Sequence, residues 1–201
     1  MSQRRGTPRC DTCKINVPLC ICSSLKPFSI ETAVSLIVHV RELKLTSNSA
    51  QFIQLMLPEN AKTFIRGKVF EDFTPDEIVA RSGRPIFLYP HEDAVELNEK
   101  FLQEHPGPYH LIVPDGNWHQ ARKVRKREGA FQEMMAVKLP AGITAEYQLR
   151  KAPQPEWVST YESVAHALGV LEGEAVRDEL MSFFRAWVQR TLWNRAGNQK
   201  V

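Results

Sequence analysis

Residues 32–40 read TAVSLIVHV, a nearly unbroken apolar run. Such a run has no polar face to offer water, so it suits a strand buried on both sides in the interior of a parallel sheet. Residues 85–89 (PIFLY) and 110–113 (HLIV) repeat the pattern, and residues 135–139 suggest a fourth strand. Between them lie segments that read as helices: 49–57, closed by Pro58; 92–104; and a basic one from about 118 to 127. Two more close the chain. The first starts near Thr160, with Ser159 or Thr160 as N-cap and Glu162 in its first turn. The second covers about 174–194 and carries Val176, Leu180, Phe183, Phe184, Trp187, Val188 and Leu192 at helical spacing. Strands alternating with helices predict a parallel α/β sheet, whose ligands sit beyond the carboxyl ends of the strands. The loops to examine are therefore 39–42, 88–92 and 114–118.

The chain of 201 residues is long enough for one full-sized core, and 43% hydrophobic with 24% charged residues is ordinary globular composition. A formal charge of +3 does not by itself demand nucleic acid. No apolar run approaches the roughly 20 residues of a membrane span, and the basic N-terminus has no apolar stretch behind it. The expectation is a cytoplasmic protein with no membrane partner. No Gly-rich phosphate loop is present, which argues against a nucleotide-dependent enzyme.

All four cysteines fall in the pattern Cys10-x2-Cys13-x6-Cys20-x-Cys22. This sets a small module, residues 1–27, apart from the remaining 28–201. Stable disulfides are uncommon in the cytosol, and four close thiolates suit tetrahedral zinc; free thiols in a tail, an iron–sulfur cluster and a redox disulfide are the alternatives. A short polar segment would then be organised by the metal. Arg4, Arg5, Arg9 and Lys14 give the module a basic rim that suits RNA, as it would a solvated tail.

Asp115-Gly116-Asn117-Trp118 stands where a buried strand ends and a helix begins. Asp115 offers a carboxylate to the crevice, Gly116 lets backbone approach a ligand, and Trp118 offers a stacking surface; a plain turn with a capping side chain uses the same residues. Arg122 and Lys126, like Lys123 and Arg127, stand four apart, so positive charge runs along the helix that follows. Such a face attracts RNA phosphates. His39 and Arg41, at the end of the first strand, extend the candidate RNA surface.

Together these segments resemble the DTW-domain family of tRNA-uridine aminocarboxypropyltransferases. The cysteine set matches the family's N-terminal module. His39-Val40-Arg41-Glu42 through Asn48-Ser49 is similar to its histidine-proline-x-glutamate block and asparagine-threonine pair. Leu88-Tyr89-Pro90 resembles its leucine-aromatic-proline strand end. Asp115-Gly116-Asn117-Trp118, with Gln120-Ala121-Arg122-Lys123, resembles the signature that names it. Leu149-Arg150 and Ser159-Thr160-Tyr161-Glu162 resemble its last two blocks. Asn117 stands where the family has threonine, Val40 where it has proline and Ser49 where it has threonine; Asn117 keeps a polar side chain able to cap a helix.

The resemblance implies a SPOUT-like knotted parallel sheet with helices on both faces, plus the zinc module, although general topology rules argue against knots. It implies S-adenosylmethionine as co-substrate, held by Leu88, Tyr89 and Pro90, by Pro114, Asp115, Gly116 and Trp118, and by Ser159, Thr160 and Glu162. The implied reaction moves the 3-amino-3-carboxypropyl group to N3 of a tRNA uridine and releases 5′-methylthioadenosine. Asp115 is the expected catalytic residue, either accepting the N3 proton or holding the donor's amino group. Ser159 and Thr160 are expected to bind the donor's carboxylate. Trp118 stacks on adenine or the target base, or belongs to the core. A SPOUT-like RNA methyltransferase and a non-catalytic zinc-ribbon RNA-binding protein are the competing readings. Monomer and homodimer both remain open.

Overall fold

The central element is the long apolar run. In a computed structural model, which describes residues 7–68, 73–116, 118–150, 154 and 157–198, it forms strand β1 (Ala33–His39). In chain order there follow α1 (Gln51–Met56), β2 (Ala61–Arg66), α2 (Asp76–Val79), β3 (Arg84–Leu88), β4 (Val95–Glu96), α3 (Glu99–Glu104), β5 (Tyr109–Asp115) and α4 (Trp118–Arg127). The chain closes with α5 (Gly129–Gln132), β6 (Met135–Lys138), α6 (Thr160–Leu171) and α7 (Glu174–Arg195). The strands make one sheet in the order β2-β1-β5-β3-β6-β4, and every pairing is parallel. Chain order is broken where β5 enters between β1 and β3, so the middle of the sheet is a point where the winding changes direction.

Alternation along the strands divides the core between the two faces. Leu36 and Val38 of β1, Ile86 of β3 and Leu111 and Val113 of β5 pack with α1, α3, α6 and α7. Ile37, Phe87 and Ile112 face the other way, toward Ile78 of α2, Val124 of α4 and Phe131 of α5. Helices therefore cover both faces. The cysteine segment joins the first of these cores: Cys13, Ile15, Leu19 and Ile21 are buried there, and Trp187 Nε1 donates to the Cys13 carbonyl at 3.4 Å. The segment thus has apolar anchors on α7 in addition to its thiols.

The sequence reading holds for β1, β3, β5, β6, α1, α4, α6 and α7, with ends shifted by a few residues. It misses β2, β4 and the one-turn helices α2 and α5. The β2 stretch AKTFIR is an edge strand of mixed polarity, and β4 has two residues, so neither carries a continuous apolar signal. The helix expected over 92–104 begins only at Glu99. Asn98 caps it, its side-chain oxygen accepting from the Phe101 N–H at 3.0 Å, while Val95 and Glu96 pair with β6. The third strand does not stop before Pro114: β5 runs through it to Asp115, which stands level with Val38 of β1. The apolar face of α7 serves the core, with Leu180, Phe184 and Trp187 fully buried. Among the described residues no helix is long and apolar enough to cross a membrane.

Candidate active site

The carboxyl ends of β1, β3, β5 and β6 open into one cavity of about 650 Å³, within the size range of small-molecule sites. Leu88, Tyr89 and Pro90 leave β3 along one wall; Pro114, Asp115 and Gly116 leave β5 along another; Ser159 and Thr160 close it from the start of α6. Three loops that the sequence reading named thus meet in space.

Asp115 is placed by the end of β5, and its surroundings are unusual for a carboxylate. Oδ1 accepts from the Thr160 hydroxyl at 2.6 Å, while Oδ2 is out of contact with solvent and, among the described residues, has no hydrogen-bond partner. Burial pushes its pKa up to about 6, against the lowering pull of the Thr160 hydrogen bond; Glu42 nearby pushes it further up and Arg150 pulls it down. An unpaired buried acceptor is costly unless something supplies a donor. Gly116 adopts φ +148°, and a Cβ there would meet the Gln120 side chain at 2.7 Å, so the close approach permitted by glycine is used by α4 itself.

Helix α6 begins with a capping box: the Ser159 side chain accepts from the Glu162 N–H, and Glu162 reaches back to the Ser159 N–H at 2.7 Å. The other Glu162 oxygen accepts from the Glu146 and Tyr147 N–H groups. Glu162 is fully buried and committed to backbone, so it supports the cavity from behind and does not face a ligand. This departs from the expectation that it contacts the donor. Of the two hydroxyls expected to hold the donor's carboxylate, Thr160 gives its proton to Asp115, whereas Ser159 Oγ accepts in the cap and keeps its own proton.

Several wall residues were not chosen from the sequence. Arg150 donates to Glu42 at 2.8 Å and to the Ser47 hydroxyl at 2.9 Å, and the Tyr147 hydroxyl donates to the Ser47 carbonyl. The Leu149-Arg150 block pointed at Arg150. Nothing in spacing or composition pointed at Ser47, Tyr147 or residues 139–143. Trp157 also lines the cavity. The Trp118 side chain and Asn117 lie outside the described residues, as do Arg4 and Arg5.

Two other groups of expected residues stand outside the cavity. On α4, Arg122, Lys126 and Arg127 are exposed and Lys123 is half-buried, whereas Arg125 turns inward to Asp93 and the Met134 carbonyl. His39 and Arg41 sit at the end of β1, where the His39 Nδ1 accepts from the Arg41 N–H at 3.2 Å. Burial, with Arg41 and Arg66 adding, holds the His39 pKa below its usual value.

The four cysteine sulfurs lie within 4.8 Å of one another, with Cys10 and Cys22 at 3.6 Å and Cys13 and Cys20 at 3.7 Å. All four are free thiols. Metal–sulfur bonds of about 2.3 Å in a tetrahedron set the sulfurs roughly 3.8 Å apart, so the cluster has metal-site dimensions. The Cys13 and Thr12 N–H groups point at the Cys10 sulfur and bring its thiol down to about 6, while burial pushes the Cys13 and Cys22 thiols up.

A family model described as the DTW domain matches residues 7–192. The chain belongs to the DTW domain family. Within this DTW domain, 169 residues are 31% identical to the tRNA-uridine aminocarboxypropyltransferase 2 of Drosophila melanogaster, covering 82% of this chain and 66% of that one. The protein of the same name from Macaca fascicularis is 28% identical over 82% of this chain and 57% of its own. The tRNA-uridine aminocarboxypropyltransferase A of Arabidopsis thaliana is 26% identical over 90% and 79%. The DTW chain therefore spans 57–66% of the length of the first two relatives. Among solved structures, the SAM-dependent rRNA:acp-transferase Tsr3 from Vulcanisaeta distributa superposes with a TM-score of 0.49 at 15% identity, covering 82% of this chain and 80% of that one.

The Asp115 environment has a measurable consequence for stability. In the unfolded chain an aspartate loses its proton near 3.8, in the fold only at about 6. The folded state therefore binds more protons between these values, and stability falls as pH rises through that window. Asp115→Asn removes the charge and this loss. Relative to the parent, the variant is expected to gain about 2 kcal/mol more at pH 7.5 than at pH 4.5 in denaturant unfolding. An equal difference at both pH values would show that Asp115 ionises normally.

Proposed function

We propose that this chain transfers the 3-amino-3-carboxypropyl group of S-adenosylmethionine to N3 of a uridine in tRNA. The observation that carries this reading is Asp115, which lines a cavity of about 650 Å³ in a DTW domain and whose Oδ2 has no hydrogen-bond partner among the described residues. The names of the relatives support the reaction and the RNA class.

S-adenosylmethionine supplies a carbon already activated by its positive sulfur. The chain's task is to position that carbon and remove the N3 proton. The Asp115 carboxylate accepts that proton while N3 bonds to the carbon; the carbon–sulfur bonding pair stays with sulfur in 5′-methylthioadenosine. A carboxyl that ionises at about 6 is charged at neutral pH yet more basic than an ordinary aspartate, which is what a general base requires. The Thr160 hydroxyl fixes its orientation. Leu88, Tyr89 and Pro90, with Trp157 on the wall, provide the apolar surfaces for the adenosine part. Arg122, Lys123, Lys126 and Arg127 of α4, with His39 and Arg41, receive the RNA backbone. Cys10, Cys13, Cys20 and Cys22 hold a structural zinc ion, which ties the N-terminal segment to α7.

If Asp115 is the base, transfer rises about tenfold per pH unit up to about 6 and levels off above it, and Asp115→Asn loses roughly 100-fold or more in kcat at every pH. A variant retaining parental activity would remove Asp115 from the chemistry. Replacing Arg122, Lys126 and Arg127 by Ala should weaken tRNA binding and flatten its dependence on log salt by about 2–3, leaving S-adenosylmethionine affinity unchanged; an unchanged slope would place the RNA elsewhere. Elemental analysis should find one zinc per chain, and chelation should lower the melting temperature, since Cys13, Ile15, Leu19 and Ile21 share the main core. A metal-free chain with unchanged melting would refute the zinc site.

A further inference from the structure

Thr160 gives its only hydroxyl proton to Asp115, and Ser159 Oγ is tied to the α6 cap and keeps a single neutral donor, so a charged group on the cavity wall is the stronger partner for the donor's carboxylate. On the same cavity wall stands an ion pair, Arg150 with Glu42, joined at 2.8 Å between Nη2 and Oε2. Each partner keeps unused capacity: among the described residues neither Nη1 of Arg150 nor Oε1 of Glu42 has a partner. The pair is held in place by surrounding contacts. The Ser47 hydroxyl accepts from Arg150 Nε, the Asn48 amide donates to the Glu42 carbonyl at 3.1 Å, and the Tyr147 hydroxyl donates to the Ser47 carbonyl. Both charges act on Asp115.

Resting on the acp-transfer reading above, we propose that the Arg150–Glu42 pair is the receptor for the α-amino-acid end of the donor. The guanidinium takes the carboxylate, and the Glu42 carboxylate takes the ammonium. A zwitterion laid against a joined cation and anion matches both charges and leaves no net charge buried. The planar fork of arginine suits a carboxylate better than the point charge of Lys138, which also lines the cavity. Asp115 remains free to act on the uridine. The arm anchored here carries the carbon to be transferred, so holding it beside Asp115 also turns that carbon, and not the methyl, toward N3. Arg150 and Glu42 thus act on which group is moved as well as on affinity.

Calorimetry of the full chain with four ligands tests this: S-adenosylmethionine, its decarboxylated form, its deaminated form and 5′-methylthioadenosine. The parent should bind S-adenosylmethionine roughly 10–100-fold more tightly than either truncated form. Arg150→Met should erase the preference over the decarboxylated form, and Glu42→Gln the preference over the deaminated form. Both should keep methylthioadenosine affinity within about twofold. Because each single change orphans a charge, the Arg150→Met, Glu42→Gln double variant is included; it should still bind methylthioadenosine and show no preference among the other three. Preferences that survive in the variants, or methylthioadenosine affinity falling by the same factor as that for S-adenosylmethionine, would overturn the assignment. A parent that binds S-adenosylmethionine without preferring it over the truncated forms would overturn the ion-pair assignment alone. A parent that binds none of the four would overturn the transferase reading as well.

Discussion

Glu162 is the constraint from which the cavity is built. Its carboxylate is fully buried and accepts from three backbone N–H groups, those of Ser159, Glu146 and Tyr147. One oxygen fixes the start of α6; the other fixes the segment that leads to Arg150. Thr160, the first residue of α6, then reaches Asp115, and Arg150 reaches Glu42 and Ser47. A buried carboxylate shared among backbone donors is rigid because releasing any one of them strands a polar group. The start of α6 and a loop 15–16 residues before Glu162 are held by one side chain that is not among those lining the cavity.

Against this rigid support stands the incompletely satisfied Asp115. Its Oδ2 is buried and has no donor among the described residues, while Thr160 satisfies Oδ1. The same burial that raises its pKa makes it a stronger base once ionised. The fold thus carries a local cost at the site of the proposed chemistry. The cysteine segment and the exposed cations of α4 lie outside the cavity, where the first holds the N-terminus on α7 and the second offer an exposed row of positive charge, while Ala121 of α4 lines the cavity itself.

The sheet was legible where strands are buried on both sides, because TAVSLIVHV and PIFLY admit few other uses. It was illegible at its edges, where β2 mixes buried Ala61 and Phe64 with exposed Lys62 and half-buried neighbours and β4 is too short to have a pattern. Asp115, Leu88 to Pro90 and Ser159-Thr160 were found because strand-end position and family-like blocks agreed. Their roles were harder to read. A Ser-x-x-Glu capping box spends its side chains on the helix, so Glu162 could not also serve a ligand. Arg150 lay in a recognised block, but its pairing with Glu42 joins positions 108 apart and appears only once the loops are brought together.

The central claim is that the cavity at Asp115 directs an aminocarboxypropyl group to a tRNA uridine. Nucleoside mass analysis of tRNA incubated with the purified chain and S-adenosylmethionine tests it most directly. The account predicts a uridine heavier by the aminocarboxypropyl group, with 5′-methylthioadenosine released in equal amount. A methylated nucleoside accompanied by S-adenosylhomocysteine, or tRNA left unchanged, would contradict it.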